Sequence, residues 1–235
     1  MMNVVITGAS KGIGHALALE FARMKDVNML LIARSTSLLM ELKAAIHELA
    51  PGCNVEILDM DLTSGEIGER IYPLIHDKMP GIDILVNNAG LLVNKDFSDY
   101  NDVDFDAMFS VNVKAPFKII QALLPVMKSG SHIVNISSMG GYQGSVKFPG
   151  LSLYSASKGA LAVLSECLAE ELKPLGISVN ALALGSVDTE MVKQAFPGFQ
   201  AQLSAEQMAS YICGFACNGH RYFNGKVLPV SISTP

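Results

Sequence analysis

Long apolar runs and a strong charge of one sign are both missing from this sequence of 235 residues. No run approaches the roughly 18 consecutive apolar residues that a membrane-spanning helix needs, so we expect no membrane partner. The net charge of −5 argues against nucleic acid or an anionic membrane surface as a partner. The chain starts with a strand-like pattern, without a basic region or a signal-type apolar stretch, which predicts a cytoplasmic protein.

Cysteine and histidine are scarce, and neither forms a metal-binding pattern. Cys213 and Cys217 could face one another on a helix, but no second Cys or His pair lies at ligand spacing, and the residues around them, such as Phe215, are apolar. The four cysteines are therefore expected to be free, buried and inert thiols in a reducing compartment. The five histidines form no cluster. We assign no metal ion and no histidine chemistry.

Apolar residues are plentiful, at 50% of the sequence, and predict one domain over residues 1–235 with a well-filled core. Short, nearly continuous apolar runs alternate with helical patterns, which indicates a parallel sheet buried on both faces. The predicted fold class is α/β, a doubly wound parallel sheet of about seven strands with helices on both faces and ligands at the carboxyl ends of the strands.

The predicted elements follow one another without repeats or long linkers. Strands are predicted at 2–6, 28–33, 53–58, 82–86, 131–136, 177–182 and 226–231, and helices at 12–25, 37–49, 64–78, 103–128, 152–173 and 204–217. Two irregular segments, 139–151 and 184–203, each begin just after a strand. Both are therefore expected to overhang the ligand site.

A glycine-rich turn lies between the first predicted strand and the first predicted helix, at Thr7-Gly8-Ala9-Ser10-Lys11-Gly12-Ile13-Gly14. Its glycines would permit a tight turn, close approach of a pyrophosphate and packing of the helix against the strand. The free N–H groups and positive dipole of the helix N-terminus would bind the phosphates. This context predicts a dinucleotide site. The alternative is a turn that merely tolerates glycine.

Tyr154 and Lys158 are four residues apart and share one face of a predicted helix. The Lys158 ammonium would favour the phenolate and lower the pKa of Tyr154 from its ordinary value of about 10. Tyr154 would then donate a proton to a carbonyl oxygen, and simple packing is the alternative role. Ser138, at the end of a predicted strand, can donate a hydrogen bond to the same oxygen. Ser137 is the alternative, since side chains alternate along a strand.

The end of the second predicted strand, Ile32-Ala33-Arg34-Ser35, bears on the choice of cofactor. It has no carboxylate to bond a ribose 2′-hydroxyl. The Arg34 guanidinium suits a 2′-phosphate, Ser35 offers a hydroxyl, and Lys11 adds a second cation. The sequence therefore predicts NADP(H) and the direction of reduction, with ordinary surface charges as the alternative for Arg34 and Lys11.

In the order and spacing of its motifs, nearly the whole chain resembles the short-chain dehydrogenase/reductase family. Further matches are Asp61-Leu62, Asn87-Asn88-Ala89-Gly90, Ser110-Val111-Asn112-Val113 and Gly185-Ser186-Val187-Asp188-Thr189. The resemblance implies a Rossmann fold in which Asp61-Leu62 contacts adenine and the segment 185–189 holds the nicotinamide carboxamide. The implied cofactor site consists of Gly8, Ser10, Lys11, Gly12, Ile13, Gly14, Arg34, Ser35, Asp61, Leu62, Asn88, Ala89, Gly90, Tyr154, Lys158, Val187 and Thr189.

The resemblance also implies a catalytic tetrad of Asn112, Ser138, Tyr154 and Lys158. Asn112 would interrupt its helix and hold a water that feeds protons toward Lys158; a solvated helix asparagine is the alternative. The helices 103–128 and 152–173 would pair with a second copy of the chain. A homodimer or homotetramer is therefore expected, because the second helix carries apolar residues around more than one stripe.

The substrate expected is a small molecule or an acyl thioester that carries a carbonyl. The resemblance points to β-ketoacyl-(acyl-carrier-protein) reductases, with sepiapterin-reductase-like or broad-range carbonyl reduction as alternatives. A non-catalytic NADP-binding regulator and a partner-binding protein are the alternatives from other classes. Candidate contacts are Lys147 and Lys193 for an acidic carrier protein, and Met191, Phe196 and Phe199 for an apolar wall, unless these three pack in the core or in an interface.

Three departures from the family pattern bear on the substrate pocket. Ser138 and Tyr154 are 16 residues apart, which predicts a longer loop over 141–150. Leu184 replaces the usual proline before Gly185, and the closing glycine pair near the C-terminus is missing. The segment after Thr189 is short, which predicts an open or small pocket.

Overall fold

A seven-stranded parallel sheet forms the centre of the computed structural model, which describes residues 1–64, 67–79 and 81–232. Its strand order is β3-β2-β1-β4-β5-β6-β9, and β7 pairs with β8 in a separate two-stranded ladder. The strands are β1 (Met2–Thr7), β2 (Val27–Ala33), β3 (Asn54–Asp59), β4 (Ile82–Asn87), β5 (Met127–Ser138), β6 (Ser178–Leu184), β7 (Val187–Asp188), β8 (Leu203–Ser204) and β9 (Val227–Val230). The predicted α/β class and doubly wound Rossmann architecture are confirmed.

Helices connect the parallel strands, as right-handed crossovers require. Those in the described residues are α1 (Gly12–Ala22), α2 (Thr36–Leu49), α3 (Ile67–Lys78), α4 (Asp102–Phe109), α5 (Ala115–Leu123), α6 (Ser152–Glu171), α7 (Glu190–Ala195) and α8 (Ala205–Asn218). Residues 65 and 66, inside the predicted helix 64–78, and residues 233–235 of the predicted domain lie outside the described residues.

The alternation of side chains along each strand creates two apolar layers, one on each face of the sheet. On one face Val4 and Ile6 pack with side chains of α1, α2 and α8. On the other face Val5 packs with side chains of α3, α5 and α6. Both layers are buried, which explains why the strands are continuous apolar runs rather than alternating ones.

The predicted helix 103–128 was wrong in its end, while Asn112 lies at an interruption of the helix, as the family resemblance implied. The structure has α4, then a π-helical turn at Ser110–Lys114, then α5, which ends at Leu123. A 3₁₀ turn with Pro125 follows, and β5 already begins at Met127, which pairs with Ile82. Proline cannot donate the hydrogen bond that would continue the helix, so the apolar pattern passes from helix to strand at that point.

The irregular segments begin at the carboxyl ends of β5 and β6, as predicted. The first contains a 3₁₀ turn at Met139–Gly141, and the second contains β7, α7 and β8. None of the helices in the described part of the chain has the length and apolar character needed to cross a bilayer.

Candidate active site

The order of the sheet reverses between β1 and β4, and the glycine turn lies at the carboxyl end of β1, beside this crevice. A side chain at Gly14 would overlap the carbonyl oxygen of Gly8, and one at Gly8 would come within 2.8 Å of the Ala89 Cα. Gly8 also has a φ of +66°, a left-handed conformation that favours glycine. The turn therefore requires glycine at these positions.

Asn88 fixes the glycine turn to the end of β4. Its Nδ2 donates to the carbonyl oxygens of Thr7 and Gly8 at 3.0 and 3.1 Å. In return, the Thr7 hydroxyl oxygen accepts the N–H groups of Asn88 and Ala89 at 3.1 and 3.0 Å. Sequence analysis did not include Thr7 among the site residues, although it is the first residue of the glycine-rich turn.

The N-terminus of α1 is suited to a phosphate group. Among the described residues no side chain caps it, and Lys11 at the N-cap is extended. The first N–H groups of a helix lack partners within the helix, and its dipole is positive there. These free N–H groups can donate hydrogen bonds to the pyrophosphate of a dinucleotide, and the glycines of the turn place no side chain in its way.

The predicted adenosine contacts lie at the ends of β2 and β3. Arg34 is exposed, and Ser35 caps α2 by accepting the N–H of Leu38 at 3.4 Å. Leu62 is buried and Asp61 is exposed. Hydrogen bonds from the backbone and side chain of Thr63, with a smaller contribution from the Arg34 charge, lower the pKa of Asp61.

Lys11 is not a free cation in this structure. Its Nζ forms an ion pair with Glu190 at 2.8 Å, at the start of α7. Thr189, the N-cap of α7, accepts the N–H of Val192 at 3.4 Å, and its methyl carbon lies 3.4 Å from the place of a Gly12 Cβ. The segment expected to hold the nicotinamide thus lies against the glycine turn, with Val187 buried beside it.

Lys158 is buried at the carboxyl end of β5. Only 3% of the residue is exposed, and Nζ donates to the carbonyl oxygen of Ile136 at 2.8 Å. Burial lowers the pKa of Lys158 from 10.5 to about 8. A Cβ at Gly90 would come within 3.4 Å of Nζ, so glycine there leaves room for the ammonium group.

Tyr154 lies beside Lys158 on α6, with Nζ 5.9 Å from the centre of the ring. The expected lowering of the Tyr154 pKa is wrong, because the pKa of Tyr154 is raised. Burial raises the pKa of Tyr154, and a hydrogen bond with the Ser138 side chain opposes that rise. Desolvation penalises the phenolate, and the Lys158 ammonium donates its hydrogen bond to the Ile136 carbonyl oxygen.

Ser137 and Ser138 point to different sides of β5. The Ser137 hydroxyl is buried and donates to the carbonyl oxygen of Lys158 at 2.9 Å. Ser138 is partly exposed, its Oγ accepts the N–H of Gly140 at 3.2 Å, and its side chain lies close enough to Tyr154 to lower the pKa of the phenol. The structure therefore brings Ser138, and not Ser137, next to the phenol.

Asn112 lies in the π-helical turn, at the break in the helical pattern. Its Nδ2 donates to the carbonyl oxygen of Leu91 and to Ser157 Oγ, both at 2.9 Å, and its Oδ1 accepts the N–H of Leu91 at 2.8 Å. Ser157 in turn donates to the carbonyl oxygen of Tyr154 at 2.7 Å. Asn112 and Ser157 thus brace the tyrosine's helix turn. Sequence analysis missed Ser157.

Three segments close around the mouth of this site. Asn94 Nδ2 donates to the carbonyl oxygen of Ala195 at 2.8 Å, which connects the segment after β4 to α7. The Tyr100 hydroxyl lies 2.6 Å from the carbonyl oxygen of Gly150. Of the predicted apolar wall, Met191 and Phe199 are exposed and Phe196 is half-buried.

Comparison with known proteins agrees with this arrangement. The profile of the short chain dehydrogenase family matches residues 2–199. An uncharacterized oxidoreductase of Staphylococcus saprophyticus is 33% identical over 207 residues, which cover 87% of this chain and 86% of that protein.

Solved structures show the same fold. A short chain dehydrogenase from Burkholderia cenocepacia, in complex with NADP, is 28% identical with a TM-score of 0.86 and covers 98% of this chain and 96% of that one. Levodione reductase is 26% identical with a TM-score of 0.87 and covers 97% of this chain and 95% of that one. By the extent of the match and by the site it carries, this chain belongs to the short chain dehydrogenase family of oxidoreductases.

Proposed function

We propose that this chain is an NADPH-dependent reductase of a ketone or aldehyde carbonyl. The observation that carries the proposal is the convergence of Ser138, Tyr154 and Lys158 at the carboxyl end of β5, beside a glycine turn with uncapped helix N–H groups. Family membership supports the oxidoreductase class, since a hydride carrier and a proton donor are what carbonyl reduction requires.

Each residue of the site has a separate role in the proposed reaction. Bound NADPH would supply the hydride to the carbonyl carbon. Ser138 donates a hydrogen bond that positions the carbonyl oxygen, and Tyr154 donates its hydroxyl proton to that oxygen. Lys158 stabilises the phenolate that remains, because its cation is held beside the ring with little water to screen it. Asn112 and Ser157 hold the helix turn in place.

NADP(H) is preferred over NAD(H) in this proposal because Arg34 is exposed at the end of β2 and the residues that follow β2, Arg34 and Ser35, include no carboxylate. The bound NADP of the Burkholderia cenocepacia relative supports the same choice. Lys11 contributes less than expected, since a 2′-phosphate must compete with Glu190 for its ammonium group.

The proposed substrate is a free small molecule rather than a carrier-bound acyl thioester. Both candidate lysines for a carrier protein are engaged: Lys147 donates to the Tyr142 carbonyl oxygen at 2.6 Å, and Lys193 pairs with Asp188 at 2.8 Å. The segments 139–151 and 184–203 would line the pocket. Phe148, Met191 and Phe199 are exposed there and give it an apolar wall.

A substrate screen tests the proposal. NADPH oxidation is measured with free ketones, diketones, aldehydes, pterins and 3-oxoacyl thioesters, in the wild type and in Tyr154→Phe. The proposal predicts turnover of at least one free carbonyl compound that Tyr154→Phe abolishes. Turnover confined to carrier-bound thioesters would favour the β-ketoacyl reductase function, and NADPH binding without any turnover would favour a non-catalytic regulator.

A further inference from the structure

Three sulfur atoms meet outside the active site, where the end of α1 approaches α8. Cys213 and Cys217 lie one turn apart on α8, so their side chains share one face of the helix. Met24, just beyond α1, places its Sδ 3.7 Å from Cys213 Sγ and 3.8 Å from Cys217 Sγ. The Met24 sulfur atom therefore contacts both thiols.

Two thiols and a thioether together form the ligand set of a soft cation. Cysteine and methionine sulfur select Cu(I), whereas Mg²⁺, Ca²⁺ and Mn²⁺ prefer oxygen. In residues 1–64, 67–79 and 81–232 there is no group of three or more His, Cys, Asp or Glu side chains suited to a metal ion. The sequence predicted inert thiols because no second Cys or His pair lies at ligand spacing. Met24 is 189 residues from Cys213 along the chain, so no local pattern connects the two.

The sulfur cluster is held in place but can be reached from solvent. Cys213 is buried, Cys217 is partly buried and Met24 is 39% exposed. Cys217 also lines a cavity together with Met1, Asp83 and His220, at the edge of the sheet where β1 and β4 begin. Tyr154 and the glycine turn lie at the opposite edge, so a cation could enter without passing through the active site.

We propose that Met24, Cys213 and Cys217 form a binding site for one soft monovalent cation of the Cu(I) and Ag(I) class. The cation coordinates the two thiolates and the thioether, and the two thiol protons are released to solvent. No electron is transferred in this step. The site is independent of the proposed reductase activity.

Anaerobic titration with Cu(I), in competition with the chelator bicinchoninate, tests the proposal. The wild type should retain one equivalent of Cu(I). Met24→Leu keeps the volume of the side chain and removes the thioether, so its affinity should fall by at least the ~10-fold that loss of an outer-shell partner costs. Unchanged far-UV circular dichroism checks that this variant is folded.

Two double variants separate the cluster from the other thiols. C213S/C217S should lose the bound Cu(I), whereas C53S/C167S should retain it, because Cys53 and Cys167 lie outside the cluster. The proposal is overturned if the folded wild type releases all Cu(I) to the chelator, or if Met24→Leu binds it as tightly as the wild type. Retention of Cu(I) by C213S/C217S would overturn it as well.

Discussion

The ammonium nitrogen of Lys158 lies 5.9 Å from the centre of the Tyr154 ring and donates to the carbonyl oxygen of Ile136 at 2.8 Å. The cation thus lies beside the proposed proton donor, while the backbone carbonyl of Ile136 accepts its hydrogen bond. Burial makes the charged form of each side chain less stable, so the pKa of Tyr154 rises and the pKa of Lys158 falls to about 8. Holding the Lys158 cation in this buried position lowers the stability of the folded protein.

Lys158→Met is expected to lower both turnover and NADPH affinity while making the cofactor-free protein more stable. The pKa of Lys158 falls from 10.5 to about 8 on folding. Since the unfolded chain holds this proton more tightly, wild-type stability should rise with pH between these values, by roughly 3 kcal/mol. Below pH 8 the wild type loses this free energy of unfolding because it buries the Lys158 cation, and Lys158→Met removes the loss. Urea unfolding at two pH values measures the stability, and fluorescence titration measures the NADPH Kd.

Two results would contradict the roles given to Lys158. A loss confined to kcat, with an unchanged Kd for NADPH, would rule out contact between Lys158 and the cofactor. Equal pH dependence of unfolding in the wild type and in Lys158→Met would rule out the cost of burying the cation.

Arg34→Asp is expected to shift the preference from NADPH toward NADH. The substitution removes a charge-assisted contact with the 2′-phosphate and adds repulsion at the same point. The ratio of kcat/KM for the two cofactors is measured in both proteins. Arg221→Asp, an equal change of charge at an exposed position, serves as the control and should leave the ratio unchanged. An unaltered kcat/KM ratio in Arg34→Asp would show that Arg34 does not bind the 2′-phosphate of NADPH.

His132 is expected to make the protein sensitive to acid. Burial, against an opposing hydrogen bond with the Ala216 carbonyl oxygen, lowers its pKa from 6.5 to about 4. The folded protein then stays neutral at this position while the unfolded chain takes up a proton, so stability falls as the pH falls from 6.5 toward 4, by roughly 3 kcal/mol. His132→Gln should flatten this dependence in urea unfolding. His47→Gln, at an exposed position, should keep the wild-type slope.

The chain is expected to form a homodimer or homotetramer through α4, α5 and α6. Phe105, Phe117 and Val163 on these helices are exposed in the isolated chain. Soluble monomers rarely expose large apolar patches to solvent. Val163→Asp should therefore shift the protein toward monomer in light scattering at micromolar concentration. Met40→Asp on α2, also an exposed apolar position, is the control. A wild-type mass of 25.1 kDa would contradict the prediction.

Sequence alone predicted the sheet and the glycine turn because both depend on local patterns. Buried parallel strands are continuous apolar runs, and Gly8 and Gly14 stand where a side chain would collide with backbone. The predicted end of the helix 103–128 was wrong because the apolar pattern there does not show where the helix gives way to a strand. At Pro125 an apolar stretch passes from helix to strand, and only the pairing of Met127 with Ile82 decides between them.

The electrostatics of the site could not be predicted from residue types alone. Spacing placed Lys158 beside Tyr154, but the direction of the tyrosine's pKa shift depends on burial, which no local pattern reveals. Side-chain contacts between residues far apart in the sequence could not be predicted either. Glu190 pairs with Lys11 across 179 residues, and Ser157 could be recognised only from its contact with Asn112.

The most direct test of the account is the turnover of Tyr154→Phe on the best carbonyl substrate found for the wild type. The ring and its packing remain, and only the hydroxyl proton is lost. The account predicts a fall in kcat of about 10² to 10⁴-fold with an unchanged NADPH Kd. Turnover by Tyr154→Phe at the wild-type rate would contradict the assignment of Tyr154 as the proton donor.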